Sequence, residues 1–113
     1  MTHQRKHTFR PDCEGLEGRQ LLSWAIVNVN SDKVLDVKGA SKADGAPVIQ
    51  YHWHAGRNQE WNIIPLSDGF DAIQNVNSGK VLDVKGASKA DGAPVIQYHW
   101  HAGYNQEWVF VSV

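Results

Sequence analysis

One stretch of this sequence is written twice. Lys33 to Trp61 reads KVLDVKGASKADGAPVIQYHWHAGRNQEW and returns 47 residues later as Lys80 to Trp108, with Arg57 replaced by Tyr104. The match extends upstream to Ala25 and Ala72, and over the 37 positions from 25 to 61 only 27, 32 and 57 differ. A fixed period of this size marks one supersecondary unit used twice, each copy too small to bury its own apolar face. A site in the first copy is therefore expected again in the second.

From residue 20 onward the chain divides into two units, 20–66 and 67–113, of 47 residues each. Four short apolar runs fill the first: Trp24–Val29, Val34–Val37, Val48–Trp53 and Trp61–Leu66. The second repeats them as Phe70–Val76, Val81–Val84, Val95–Trp100 and Trp108–Val113. Such runs, rich in β-branched and aromatic residues and bounded by Gly, Asn, Asp and Pro clusters, predict strands and an all-β fold. Ala40 to Ala46 is the local helix candidate, and Gly39, Gly45 and Pro47 hold it to about one turn. Alternation sends Leu35 and Val37 one way and Asp36 the other, and sets Ile49, Tyr51 and Trp53 opposite Gln50 and His52. The expected polar face of each unit gathers Asp36, Gln50 and His52, with Asn58 and Gln59 arriving from the next loop. An aspartate facing outward in this way should be replaceable by alanine without loss of the fold.

Residues 1–19 stand outside the repeat. Pro11, Gly15, Gly18 and the mixed charges from Asp12 to Arg19 give no apolar periodicity, as in a flexible arm or a cloning remnant. The basic residues near the start have no apolar segment behind them, so no signal peptide is visible and the localisation is left open. Cys13, the single cysteine, excludes an intrachain disulfide. A net charge of −1 argues against a nucleic-acid partner. The longest apolar run, Leu21–Val27, is far short of the roughly 20 residues that membrane insertion takes. At 113 residues the chain is enough for one small domain.

Three strings in order carry a resemblance: Leu35-Asp36-Val37, Asp44-Gly45-Ala46-Pro47-Val48-Ile49-Gln50 and Asn58-Gln59-Glu60-Trp61. They recur at Leu82-Asp83-Val84, Asp91 to Gln97 and Asn105-Gln106-Glu107-Trp108. This pattern resembles the ricin B-chain-like lectins, the Gln-x-Trp repeat family, over residues of about 24 to 113. The resemblance implies a β-trefoil, a four-strand unit used three times about a pseudo-threefold axis, with a shallow sugar site in each competent unit. Carried over, Asp36 accepts from two sugar hydroxyls, Asn58 donates to them, and Gln50 and Gln59 orient the group. The second unit would use Asp83, Asn105, Gln97 and Gln106. An aromatic ring stacks on the sugar in this family; the aligned position holds His52 or His99, and Trp53 or Trp100 is the nearest large ring. Galactose-type sugars are the implied ligand, and no cofactor is implied. The family takes three units where this sequence shows two. A two-unit piece alone would leave open sheet edges. Association into a homo-oligomer, for instance three chains forming two trefoils, is the expectation; a piece of a longer chain, or some other packing of the two units, is the alternative.

Other readings of the same residues remain at this stage. Asp36 and Asp83 suit turn caps, Asn58 and Asn105 turn formers, and Trp61 and Trp108 core positions. His52 with His54, and His99 with His101, place two imidazoles at i and i+2; two ligands do not close a zinc site, and no metal is expected. A structural or protein-interaction trefoil without a sugar ligand, designed or recently duplicated, is the rival function. No paired carboxylates or nucleophile–base arrangement points to an enzyme.

Overall fold

The computed structural model describes residues 22–113. The arm expected over residues 1–19, with Cys13, lies outside the described residues. Seven strands follow in order: β1 Ser23–Trp24, β2 Val34–Val37, β3 Val48–Tyr51, β4 Trp61–Pro65, β5 Asp71–Asn75, β6 Val81–Val84 and β7 Val95–Tyr98. Single 3-10 turns at Lys38–Ala40, Arg57–Gln59, Lys85–Ala87 and Tyr104–Gln106 separate them. The turns before the Gln-x-Trp tryptophans were not foreseen in the sequence. No helix among the described residues is long and apolar enough to cross a membrane.

The fold is all-β and of β-trefoil type. β2 and β3 form a hairpin, while β1, β4, β5, β6 and β7 form one sheet in that order. The joint between the units is β4 against β5, antiparallel from Trp61 opposite Asn75 to Pro65 opposite Asp71. β4 also pairs with β1, Trp24 opposite Trp61. A fourth strand thus lies between the first strand of its own unit and the first strand of the next.

That rule corrects one expectation. The eighth strand, predicted over Trp108–Val113, is reduced to a single bridge between Asp71 and Trp108. Val109, Phe110, Val111 and Val113 are exposed. The sequence there is as strand-prone as in β4, but no following first strand lies among the described residues to pair with it. β3 and β7 also end at Tyr51 and Tyr98, two residues short of the predicted ends.

Trp61 anchors the core. It is fully buried with Val37, Ala46, Ile73 and Leu82 around it, and its indole Nε1 donates to Leu35 O at 3.2 Å. Trp108 makes the same bond to Leu82 O at 3.2 Å but is only half buried. One of the three differences between the repeats has a clear backbone cause. Asp32 and Gly79 occupy equivalent positions at φ 65° and 78°. Aspartate and glycine are among the residues that tolerate this left-handed conformation.

Beside the β4–β5 joint a second clasp holds the units together. The fully buried Gln97 amide donates to Ser41 O at 3.0 Å and Ala43 O at 2.9 Å, and its oxygen accepts from Ser78 Oγ at 2.7 Å. Backbone bonds from Gly45 N to Gln97 O and from Gln97 N to Ala46 O run alongside. His99 closes the clasp: its backbone N–H donates to Asp44 Oδ1 at 3.0 Å and its Nδ1 lies 2.9 Å from Asp44 Oδ2. The side-chain hydrogen bond with His99 holds the Asp44 carboxyl below its ordinary value of 3.8. That contribution to stability is therefore present above pH 3.8 and is lost as the pH falls through the lowered folded value.

Gln97→Ala removes three side-chain bonds: Ser41 O loses its amide donor, Ala43 O keeps only the bond from Ala46 N, and the Ser78 hydroxyl loses its acceptor. We expect a loss of about 2–4 kcal/mol in unfolding free energy, since each stranded group costs ~1–3 kcal/mol before water returns to it. A urea midpoint unchanged from the parent at equal m-value would contradict this role.

Candidate functional site

Each unit carries a carboxylate knotted to two amides. In the first, Asp36 Oδ1 accepts from Asn58 Nδ2 at 3.2 Å and Asp36 Oδ2 from Gln59 Nε2 at 2.9 Å. The same amides reach the backbone, Asn58 to Val37 O at 3.0 Å and Gln59 to His52 O at 2.8 Å. Gln59 Oε1 accepts from His54 N at 2.9 Å, which fixes the loop leading to the 3-10 turn. The second unit repeats the knot with Asp83, Asn105 and Gln106 at 3.1 and 2.9 Å. Gln106 likewise reaches His99 O at 2.8 Å and accepts from His101 N at 2.9 Å.

The strand register corrects the expected polar face. Asp36 stands opposite Ile49, and Leu35 stands opposite Gln50. Residues directly opposite share a face, so Asp36 keeps company with Ile49 and Tyr51, while Gln50 lies on the other side. The structure thus does not bring Gln50 to the carboxylate. Gln50 accepts instead from Ser31 Oγ at 2.8 Å and is exposed. Gln97, its equivalent, belongs to the clasp between units. His52 and His99 follow the ends of β3 and β7; His99 is bound to Asp44.

Asp36 itself is also placed differently from expectation. It is 3% exposed and Asp83 2%, because Asn58 and Gln59, or Asn105 and Gln106, close over them. Gln59 and Gln106 are fully buried, so they hold the carboxylate and do not face solvent. An ionised carboxylate offers about four lone-pair sites, and the two amides occupy two. The remaining acceptor capacity lies toward the histidine that follows: His54 Nε2 is 4.0 Å from Asp36 Oδ2, and His101 Nε2 is 3.9 Å from Asp83 Oδ2.

A cluster of rings adjoins the knot. The Tyr51 centroid is 4.6 Å from His52 in a tilted pair and 5.8 Å from His54 edge-on. His52 and His54 are 5.7 Å apart. The second cluster repeats this with Tyr98, His99 and His101 at 4.5, 5.9 and 6.0 Å. Tyr51 is 45% exposed, Tyr98 is half-buried, and the His54 and His101 side chains are 43% and 42% exposed, so the rings are the accessible part of each site; Trp53 and Trp100, which follow in sequence, are exposed as well. Among the described residues no three of His, Cys, Asp and Glu gather as a metal-binding group.

Tyr51 and His54, with Tyr98 and His101, are the neighbours that sequence reading missed. The signal for Tyr51 was the pairing of β2 with β3, which sets it two residues along the same face from Ile49. Gly56 gives the signal for His54. A Cβ on Gly56 would come within 2.5 Å of both Asn58 Oδ1 and His54 Cε1, and one on Gly103 would meet His101 and Asn105 at 2.5 and 2.6 Å. Glycine therefore lets these two side chains close in, and a Cβ would displace them, at an ordinary φ of −77° for Gly56.

The buried setting changes what substitution of the aspartate does. Asp36→Ala strands two amide donors and removes charge-assisted bonds worth ~1.5–3 kcal/mol each. We expect Asp36→Ala to lower the unfolding free energy by about 2–3 kcal/mol, where an outward-facing aspartate would cost almost nothing. Thermal or urea unfolding of the variant decides between the two.

The profile of the family described as ricin-type β-trefoil lectin domain-like matches residues 8–98 and again residues 71–113. Among solved structures, a designed 3-fold symmetric protein, ThreeFoil, is 46% identical with a TM-score of 0.78, covering 80% of this chain and 65% of that one. An exo-β-1,3-galactanase from Clostridium thermocellum is 42% identical with a TM-score of 0.75, over 78% of this chain and 19% of that one. A Polyporus squamosus lectin, solved with a human-type influenza-binding epitope, shares the fold at 20% identity, with a TM-score of 0.68 over 77% of this chain and 30% of its own. This chain spans less than two thirds of the length of each of these three. No curated protein sequence matches it.

Proposed function

This chain belongs to the ricin-type β-trefoil lectin-like family, and from that membership we propose a non-catalytic carbohydrate-binding module spanning residues 20–113, with one shallow sugar site per unit. The observation that carries the reading is the duplicated carboxylate–amide knot beside exposed rings. Asp36 and Asp83 accept from ligand hydroxyls through their unused lone pairs, and Asn58 and Asn105, whose amide N–H groups are both engaged in the knot, accept beside them through Oδ1. Tyr51 and Tyr98 lie on the aspartate face of their hairpins and offer the stacking surface, with Trp53 and Trp100 close in sequence. Rings suit the apolar C–H face of a sugar, and a fixed carboxylate suits a pair of hydroxyls. Galactose-type sugars are the proposed ligand; the 42% identity to part of an exo-β-1,3-galactanase supports that class.

Shallow sites bind single sugars weakly. Two sites in one chain, and more in a self-associated assembly, raise avidity by ~10²–10⁴ with no new contact where geometry lets them engage together. We therefore read the module as a multivalent glycan binder acting as a homo-oligomer. The deep burial of Asp36 also suits the rival reading, a scaffold whose aspartates serve only the fold.

Binding to a glycan array, with inhibition by free galactose, separates the two. Asp36→Ala with Asp83→Ala should lose at least about tenfold in affinity, the equivalent of one ligand bond to a charged group. Gly56→Ala with Gly103→Ala, which pushes the histidine and asparagine aside but keeps the carboxylates, should lose binding as well. Near-ultraviolet circular dichroism confirms that each variant is folded. Parent-level binding by a folded Asp36→Ala/Asp83→Ala protein, or no glycan bound by the parent, would defeat the lectin reading.

A further inference from the structure

The clasp between the units uses residues that the repeat supplies twice, and one set of each half is unmatched. Gln97, His99 and Lys80 receive the Ser41–Asp44 loop; Lys80 Nζ lies 3.8 Å from Asp44 Oδ1. Their counterparts Gln50, His52 and Lys33 form an edge on the first unit. The counterpart of the loop, Ser88–Asp91, projects from the second. Among the described residues the Gln50 amide nitrogen has no acceptor, and Asp91 has no hydrogen-bond partner. All residues of the two halves are identical between the repeats.

Both unmatched halves already have the shape they take in the joint. Ser31 Oγ donates to Gln50 Oε1 at 2.8 Å, as Ser78 Oγ does to Gln97 at 2.7 Å, and so turns the amide N–H groups outward. In the projecting loop Ala90 N donates to Ser88 Oγ at 3.1 Å, the distance from Ala43 N to Ser41 Oγ. Ala93 N meets Ala90 O at 3.3 Å, as Ala46 N meets Ala43 O. Preformed halves lose little entropy on docking. Charge agrees too, with Asp91 on the loop and Lys33 with His52 on the edge. The apolar residues Val109, Phe110 and Val111 are exposed too, where the equivalent β4 residues are paired with β5.

We infer that the Gln50–His52 edge of one chain docks the Ser88–Asp91 loop of a second copy, in the contact that joins the two units within a chain. This rests on the self-association proposed above and specifies its contact: Gln50 donates to the partner's Ser88 and Ala90 carbonyls, and the partner's Asp91 carboxylate meets His52 and Lys33. The contact is heterologous, so it either closes or propagates. Closure about a threefold axis fills the third place with a unit from another chain. That donor chain parts its own units at the turn between β4 and β5 and gives one to each of two sets. Three chains then complete two sets, and every edge in them is clasped.

Size exclusion with light scattering on the 113-residue chain at micromolar concentration tests this. The parent should run at about three times 12.6 kDa. Gln50→Ala, which deletes the edge donor, and Asp91→Lys, which reverses the loop charge, should each raise the concentration for half-association by at least tenfold. Neither residue takes part in the clasp within a chain, so both variants should keep the parent's near-ultraviolet spectrum. If the parent associates and both variants associate equally well, the contact is overturned while self-association stands. A folded parent monomer overturns both. Galactose binding by the parent, measured in parallel, tests the sugar site separately from the contact.

Discussion

Every polar atom of the Gln59 side-chain amide is engaged inside the protein. Its nitrogen donates to Asp36 Oδ2 and His52 O, and its oxygen accepts from His54 N at 2.9 Å and Gly56 N at 3.4 Å. These four bonds tie β2, the end of β3 and the turn before β4 to one point. An amide at full burial is tolerable only with its hydrogen bonds made, and three of the four recur in the second unit at the same lengths. Trp61 follows two residues later and is delivered into the core by that turn. The knot therefore organises the fold and the candidate site together. Glutamine and asparagine hold the aspartate for the sake of the fold, and on the proposed reading the same bonds orient it for a sugar.

How much of this was legible in the sequence depended on the range of the interaction. β2 and β6 fell on the residues predicted, and Trp61 is buried, because short apolar runs and their punctuation are local signals. The faces of single strands were also readable, since alternation is a property of one chain segment. What alternation cannot fix is the register between two strands. A one-residue slip moves a whole strand's side chains to the other face. That is why Gln50 and His52 were assigned to the face of Asp36 when the pairing of Asp36 with Ile49 places Tyr51 there. The burial of Asp36 was invisible for a related reason: it depends on Asn58 and Gln59, which come from a later turn.

The repeat also exposes the limit of reading structure from identical strings. Gln97 is fully buried and Gln50 is exposed; Trp61 is fully buried and Trp108 half so. No property of the residues themselves distinguishes these pairs. The difference is whether a neighbouring unit is present on that side. Residues 46, 61, 82, 96 and 97 face the joint and are buried, while their counterparts at 93, 108, 35, 49 and 50 are more exposed. The repeat thus encodes a joint as much as a unit, with one half of the joint at each end.

The joint and the site are not separate in space. His99 bonds Asp44 of the other unit through its ring and backbone, and its ring packs against Tyr98 at 4.5 Å, which packs against His101 beside Asp83. A unit whose edge is clasped therefore has one ring of its cluster fixed from outside, at the cost of that histidine's freedom to meet a ligand. In the first unit the equivalent ring, His52, packs among the described residues against Tyr51 and His54, with no counterpart of the Asp44 bond. Fixing a ring before a ligand arrives lowers the ordering cost of binding. Docking at the first edge would thus bring the two units to the same condition, and the proposed assembly would influence each proposed sugar site through the histidine shared by the clasp and the ring cluster.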